Sequence, residues 1–152
     1  MFVGYLKNEK ATRETIDAEG YVHSGDLGYL DQDGFLVISG RLKELIITGG
    51  GENVAPIPIE HKFLELCPIV GQIMIIGDDR NFLSSLITLK TVSTGPSAQP
   101  TTDLTPEVKD FIKSNIGSTI NSTEEAAKDS AVLSYIQKLI DETNTFAISR
   151  AA

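Results

Sequence analysis

Three short polar segments hold the residues whose types and spacing are suited to chemistry. They are His-Ser-Gly-Asp at 23–26, Gly-Arg-Leu-Lys-Glu at 40–44 and Gly-Gly-Gly-Glu-Asn at 49–53. A carboxylate such as Asp26, next to glycines that let a ligand approach the backbone, can accept hydrogen bonds from two vicinal sugar hydroxyls. Arg41 offers a planar fork of donors that suits phosphate or ribose oxygens. The alternative at this point is that Asp26 and Arg41 only pair with each other at the surface.

Several common signatures of catalytic and binding sites do not fit the chain. The triple glycine at 49–51 follows a predicted strand, but Val54 stands where a dinucleotide-binding pattern needs glycine, and the Gly-Lys-Ser/Thr of a P-loop does not occur. The only histidines are His23 and His61, and there is one cysteine, which is too few for a typical zinc site or a recognisable hydrolytic triad. We therefore expect no metal site and no nucleophilic triad in this sequence.

The elements around these segments predict an α+β fold. Residues 8–16 read as a short polar helix, and residues 28–31 and 35–38 as a hairpin closed by an Asp-Gly turn. Residues 45–48 read as a strand, and the glycine run after it as too flexible for regular structure. Ile59, Phe63 and Leu66 form an apolar stripe on a helix that ends before Pro68. Strands at 72–76 and 85–89 would then form a short mixed sheet under that helix.

The last third of the chain predicts a loop followed by helices. Residues 91–105 contain Thr, Ser, Pro and Gly with few apolar residues, so we expect an exposed loop insert there. Thr105-Pro106 would open one helix, and the capping box at 122–125 would open a longer one whose apolar stripe includes Val132 and Ile136.

Composition and charge exclude some classes of function. The chain has 152 residues, with 13 basic and 21 acidic side chains and a formal net charge of −8. Such an acidic balance disfavours nucleic-acid binding, and no apolar run approaches the roughly 20 residues that span a bilayer. The single cysteine, Cys67, can form no internal disulfide, and we interpret it as a buried packing residue in a reducing compartment.

The three polar segments resemble motifs of the adenylate-forming superfamily, which includes acyl-CoA synthetases, adenylation domains and luciferases. Tyr-Val-His-Ser-Gly-Asp-Leu-Gly at 21–28 is similar to one family motif, and Gly-Arg-Leu-Lys-Glu-Leu-Ile at 40–46 is similar to the hinge motif. Gly-Gly-Glu-Asn-Val-Ala-Pro at 50–56 resembles the loop that follows the hinge. Together with Phe-Leu-Ser-Ser-Leu-Ile-Thr-Leu-Lys at 82–90, these segments resemble long-chain fatty acyl-CoA synthetases of the bubblegum type.

The resemblance implies a two-step reaction with ATP and coenzyme A. A fatty carboxylate attacks ATP to give an acyl-adenylate and diphosphate, and the thiol of coenzyme A then displaces AMP. Asp26 would bind the ribose hydroxyls and Arg41 would contact ribose or phosphate oxygens. Lys43 would be the hinge residue. The loop formed by Gly49, Gly50, Gly51, Glu52 and Asn53 would line the coenzyme A tunnel, while Mg²⁺ would be bound mainly outside this chain.

The resemblance also implies that the chain is a piece of a larger enzyme. Residues 1–42 would end the large adenylation domain, and residues 43–152 would begin a mobile, incomplete C-terminal domain. The catalytic lysine of the family has no counterpart, because the lysines after Pro106 lack its glycine-containing context. We expect no activity from the chain alone and a cytoplasmic location, with peripheral membrane association left open. The alternatives are an enzyme that adenylates aryl or luciferin-like acids, and a noncatalytic interaction module.

Overall fold

The computed structural model describes residues 2–94 and 99–146, apart from the side chain of Pro100. The chain divides into two compact units, Met1–Leu45 and Ile46–Ala152. Parts of the predicted insert at 91–105 and of the predicted C-terminal domain, namely residues 95–98 and 147–152, lie outside the described residues.

The first unit contains one helix and one antiparallel hairpin. Helix α1 (Glu9–Thr15) begins where the side-chain oxygen of Asn8 accepts a hydrogen bond from the Ala11 N–H at 3.0 Å. Strands β1 (Asp26–Leu30) and β2 (Leu36–Arg41) pair in antiparallel orientation, and a short 3₁₀ helix (Leu42–Glu44) follows. The predicted helix and hairpin are confirmed.

The second unit contains six short strands and four helices among its described residues. In chain order they are β3 (Ile46–Ile47), β4 (Asn53–Val54), α2 (Pro56–Leu66), β5 (Val70–Ile76), β6 (Ser84–Leu89), β7 (Thr91–Thr94), β8 (Gln99–Leu104), α3 (Pro106–Phe111), α4 (Thr123–Ala126) and α5 (Ser130–Asn144). A single π-helical turn (Ile112–Ile116) continues α3. The α+β class is confirmed.

The expected short mixed sheet is wrong. The described strands pair as separate antiparallel hairpins, β3 with β4, β5 with β6, and β7 with β8. The connection between β5 and β6 is a turn at 77–83, and a connection this short allows only antiparallel neighbours.

The core of the second unit lies where helix α2 packs against β5 and α5, and α3 contributes Val108 to the same cluster. Its fully buried side chains include Phe63 from the predicted stripe, Leu104 at the end of β8, and Val132 from α5. Cys67 is also fully buried in this cluster, as the sequence predicted. Burial raises the pKa of the Cys67 thiol, because desolvation disfavours the thiolate.

Among the described residues of 91–105 the expected loop is wrong, although most of them are exposed as expected. Strands β7 and β8 form a hairpin here, and the Thr101 hydroxyl donates a hydrogen bond to the Val92 carbonyl at 2.7 Å. Threonine is β-branched and favours strands, so its abundance indicated strand as readily as loop. Leu104, which has no exposed surface, anchors the end of the hairpin in the core.

The long helix expected after the capping box is divided into two. One half of the capping box forms, because Ser122 Oγ accepts from the Glu125 N–H at 3.3 Å. The Glu125 carboxylate accepts from the N–H of Asn121, at 2.6 Å, instead of that of Ser122. Helix α4 then ends, because Asp129 caps a new helix by accepting from the N–H groups of Ala131 and Val132.

Candidate functional site

Asp26 and Arg41 lie opposite each other in the register of the β1–β2 hairpin. Arg41 Nε is 3.2 Å from Asp26 Oδ1, and the side chains are 67% and 33% exposed, respectively. The hairpin therefore brings together residues fifteen positions apart in the sequence. The turn sets the register as far as Gly28 and Ile38, and an irregularity at Leu27–Gly28 then shifts it by one residue, so that Asp26 faces Arg41. The exposed guanidinium leaves donors free to face an oxygen-rich ligand beside the carboxylate.

The loop that enters β1 is held by two hydrogen bonds at the open end of the hairpin. The Asp26 N–H donates to Ser24 Oγ at 3.2 Å, and the Leu42 N–H donates to the Gly25 carbonyl at 2.8 Å. Gly25 has a φ of +80°, a conformation that a side chain would strain. Ser24 and Gly25 thus fix the direction in which Asp26 leaves the loop.

Asp17 also stabilises this loop, although the sequence analysis did not identify it as a candidate residue. Its carboxylate accepts from the N–H groups of Tyr21 at 2.9 Å and Glu19 at 3.0 Å, and His23 Nε2 lies 3.3 Å from its Oδ2. The pKa of Asp17 is lowered, mainly by the Tyr21 N–H bond, because this bond favours the charged form. An aspartate followed by a glycine-containing turn, here Asp17 to Gly20, is the local signal that could have indicated it.

Lys43 lies in the exposed 3₁₀ helix after β2. The boundary between the two compact units falls between Leu45 and Ile46, two residues further along the chain. The hinge candidate is therefore placed at the end of the first unit, in a segment with a single turn of helix. Such element boundaries are where a few backbone torsions can reorient a domain.

The glycine loop, residues 49–53, is more ordered than the sequence predicted. It closes the β3–β4 hairpin, in which Asn53 is itself a strand residue. The Thr48 N–H donates to the Glu52 carbonyl at 3.0 Å, and the Gly51 N–H donates to the Thr48 carbonyl at 2.8 Å. Thr48 is buried, and its Oγ1 accepts from the Glu52 N–H at 3.1 Å. The expectation of a run without helix or strand is confirmed for residues 49–52 and is wrong for Asn53, which belongs to β4. Thr48 nevertheless organises the run as a tight turn.

The three glycines of this loop have different surroundings. A Cβ at Gly49 would lie 3.2 Å from Asn81 Oδ1, which is a close approach. A Cβ at Gly50 would meet only Thr48 Oγ1, at 3.8 Å, and Gly51 requires glycine for its φ of +81°. Gly50 and Gly51 both have open space above the backbone, and of the two only Gly50 lacks the positive φ that strains a side chain.

The structure brings the predicted residues together in two groups. Asp26 and Arg41 meet in the first unit, and Gly49–Asn53 form one loop in the second. In the part of the chain that the structure describes, no group of three or more His, Cys, Asp and Glu side chains is arranged to hold a metal ion. We assign no metal ligand among these residues. Nor is any helix within residues 2–94 and 99–146 long and apolar enough to cross a membrane.

Comparison with known proteins identifies the family. The model of the AMP-binding enzyme C-terminal domain matches residues 43–152. The chain belongs to this family. The chain is also similar to long-chain-fatty-acid–CoA ligases ACSBG1 and ACSBG2, which confirms the resemblance to the bubblegum type.

Two curated relatives match almost the whole chain. It is 46% identical over 152 residues to the long-chain-fatty-acid–CoA ligase ACSBG2 of Gallus gallus, covering 99% of this chain and 20% of the relative. It is 47% identical over 151 residues to the ligase ACSBG1 of Rattus norvegicus, covering 99% and 21%, respectively. The chain thus spans about a fifth of the length of these curated relatives.

A solved structure supports the fold. The A domain of a carboxylic acid reductase from Segniliparus rugosus, in complex with AMP and a co-purified carboxylic acid, matches with a TM-score of 0.59 at 24% identity. The match covers 95% of this chain and 19% of that one. At this level of identity the likeness concerns the fold of the AMP-binding enzyme C-terminal domain.

Proposed function

We propose that this chain is part of an AMP-forming long-chain-fatty-acid–CoA ligase, which converts ATP, a fatty acid and coenzyme A to acyl-CoA, AMP and diphosphate. The observation that carries the proposal is 46% identity to one such ligase across 99% of the chain. The likeness includes the segments around Asp26, Arg41 and the glycine loop, where the candidate chemistry lies. The single cysteine of the chain, Cys67, is buried and forms no disulfide, which agrees with the cytoplasm as the proposed location.

Asp26 and Arg41 would bind the nucleotide. In the structure the carboxylate and the guanidinium are 3.2 Å apart on one edge of the hairpin, so a ribose that inserts its hydroxyls can reach both groups. A carboxylate is an acceptor only, and it pairs with the two hydroxyl donors of a ribose. Arg41 carries five N–H donors, and those not used by Asp26 would face the ribose or the phosphate oxygens.

Lys43 would be the hinge between residues 1–42, the end of the adenylation domain, and residues 43–152, the mobile C-terminal domain. Adenylation and thioester formation need different groups beside the same acyl carbon. A reorientation at Lys43 would bring the glycine loop to the site for the second step. The supporting observations are the exposed 3₁₀ helix that contains Lys43 and the unit boundary after Leu45.

The glycine loop would accommodate the pantetheine arm of coenzyme A. Gly50 has open space above its backbone, while Thr48 and Gly51 fix the turn on either side. A narrow ligand could lie against such a surface with little displacement of protein atoms. The lysine of the adenylation step is assigned to no residue here. Mg²⁺ and the acyl pocket are likewise assigned to other parts of the enzyme.

The test is acyl-CoA formation by the complete ligase that carries this sequence, compared with the 152-residue chain. We expect the complete enzyme to form thioesters from ATP, coenzyme A and long-chain fatty acids, and the chain alone to be inactive. A preference for aryl or luciferin-like acids would replace the fatty-acid proposal. Absence of adenylation with all of these acids would favour a noncatalytic interaction module. Cell fractionation would separate a cytoplasmic enzyme from one bound at an intracellular membrane.

A further inference from the structure

The turn between β5 and β6 holds the glycine loop in place through three hydrogen bonds. The Asp78 carboxylate accepts from the Ile47 N–H at 3.1 Å, and the Asp79 N–H donates to the Ile47 carbonyl at 2.9 Å. The Gly49 N–H donates to the Arg80 carbonyl at 2.8 Å. Both backbone groups of Ile47 are thus bound by the turn, while Ile47 lies opposite Asn53 in the β3–β4 pairing.

We propose that Asp78 is a positioning residue for the glycine loop and, through the loop, for the thiol of coenzyme A. This inference rests on the proposed function. Of the three bonds, only the one from Asp78 is made by a side chain, so it alone depends on residue type. The bond joins segments 31 residues apart and ties the strand just before the loop to a different hairpin.

Close packing makes the position of the loop depend on the position of the turn. A Cβ at Gly49 would lie 3.2 Å from Asn81 Oδ1 and 3.5 Å from the Arg80 carbonyl, so no side chain separates the two segments. At Gly77, which begins the turn, an added Cβ would overlap the Leu83 side chain. Asp79 adopts a φ of +56°, a conformation that aspartate tolerates better than most residues. The turn therefore has a specific shape, and displacing it displaces the backbone at Gly49.

The first test is amide hydrogen exchange in the 152-residue chain. In Asp78→Ala we expect the Ile47 and Gly49 amides to exchange roughly threefold to tenfold faster, as expected when one hydrogen bond is lost. Asp78→Asn retains an acceptor oxygen and should restore slow exchange. Asp110→Ala, which removes an exposed carboxylate on α3, is the matched control. Unchanged exchange of both amides in Asp78→Ala would overturn the anchoring role.

The second test is steady-state kinetics in the complete ligase. We expect Asp78→Ala to raise KM for coenzyme A roughly threefold to tenfold, with pyrophosphate exchange in the adenylation step unchanged and Asp78→Asn close to wild type. An unchanged KM for coenzyme A together with faster exchange at Ile47 would refute the positioning role. If the wild-type enzyme forms no thioester at all, the proposed function fails instead, and the exchange experiment still decides the anchoring.

Discussion

Arg41 Nε lies 3.2 Å from Asp26 Oδ1, and the two residues are direct partners across the β1–β2 hairpin. An ion pair this exposed contributes about 0–1 kcal/mol to stability, so the pair is not explained by its contribution to folding. The arrangement instead places the Asp26 carboxylate, which only accepts hydrogen bonds, beside the Arg41 guanidinium, which donates several. Both groups lie at the open end of the hairpin. Such a pair fits a ligand that presents hydroxyls and anionic oxygens together, as a nucleotide does.

Replacing Asp26 should therefore affect nucleotide binding far more than folding. In the complete ligase, Asp26→Ala should raise KM for ATP in adenylation by roughly 10- to 100-fold, because the ribose hydroxyls lose a charged acceptor. The measurement is ATP–pyrophosphate exchange driven by a long-chain fatty acid. Glu14→Ala, which removes an exposed carboxylate from helix α1, is the control and should behave as wild type. An unchanged exchange rate in Asp26→Ala would contradict the assignment.

Lys43 allows the two half-reactions to be separated. Lys43→Pro restricts φ at this position and also the backbone of Leu42, so it should impair thioester formation more than adenylation. Lys43→Ala removes the side chain but leaves the backbone torsions free, and it should retain both steps to a greater extent. Single-turnover assays of each half-reaction measure the difference. Equal losses in both steps for Lys43→Pro would argue against a hinge.

The glycine loop offers a matched pair of substitutions. Gly50→Val places a side chain in open space, so it should change the free energy of unfolding by less than about 0.5 kcal/mol while reducing thioester formation. Gly51→Ala should cost about 1–2 kcal/mol, because its φ of +81° strains any side chain. Urea unfolding and coenzyme A titrations of activity distinguish the two effects. Full thioester activity in Gly50→Val would exclude Gly50 from the coenzyme A path.

How far the sequence predicts this structure depends on the range of the interactions. The β1–β2 hairpin and helix α2 follow from local signals, an Asp-Gly turn and an apolar stripe ending at Leu66. The motifs likewise indicated Asp26 and Arg41, and the hairpin register then explains why they meet. The anchoring of Ile47 by Asp78 could not be predicted, because the two residues are 31 positions apart and belong to different hairpins. The sequence did not predict that the last helix is divided at Asp129. Its apolar stripe favours one continuous helix, and Asp129 was not recognised as a second N-cap residue.

The buried aromatic of α2 should dominate the stability of the second unit. Phe63 is 1% exposed and lies in the cluster with Cys67, Leu104 and Val132. Phe63→Ala should lower the free energy of unfolding by about 3–5 kcal/mol, since it removes buried apolar surface and leaves a cavity. Phe82→Ala is the matched control, because Phe82 is 68% exposed and its loss should cost less than about 0.5 kcal/mol. Similar urea midpoints for the two variants would show that Phe63 is not a main contributor to the core of the second unit.

Asp129 should make the stability of helix α5 depend on pH in the acidic range. Its carboxylate accepts from the N–H of Val132 at 3.0 Å and of Ala131 at 2.9 Å. The bond from Val132, followed by one from the Ser118 hydroxyl, lowers the pKa of Asp129 from its ordinary value of 3.8. The folded state thus holds the proton more weakly than the unfolded state. The resulting stabilisation is complete above the ordinary pKa and is lost as the pH falls through the lower folded value.

The comparison that isolates this effect is wild type against Asp129→Asn. Asparagine caps helices well and accepts the same backbone bonds, but it does not titrate. Urea unfolding should be measured for both proteins from about pH 2 to pH 7. The difference in unfolding free energy should be constant above about pH 5, and below pH 3.8 wild type should lose stability relative to Asp129→Asn. The pKa values of Asp17 and Glu107 are also lowered, by hydrogen bonds to backbone N–H groups. Both carboxylates are present in wild type and variant, so their effect cancels in the difference. A difference that stays constant down to pH 2 would show that the Asp129 cap makes no pH-dependent contribution to the stability of α5.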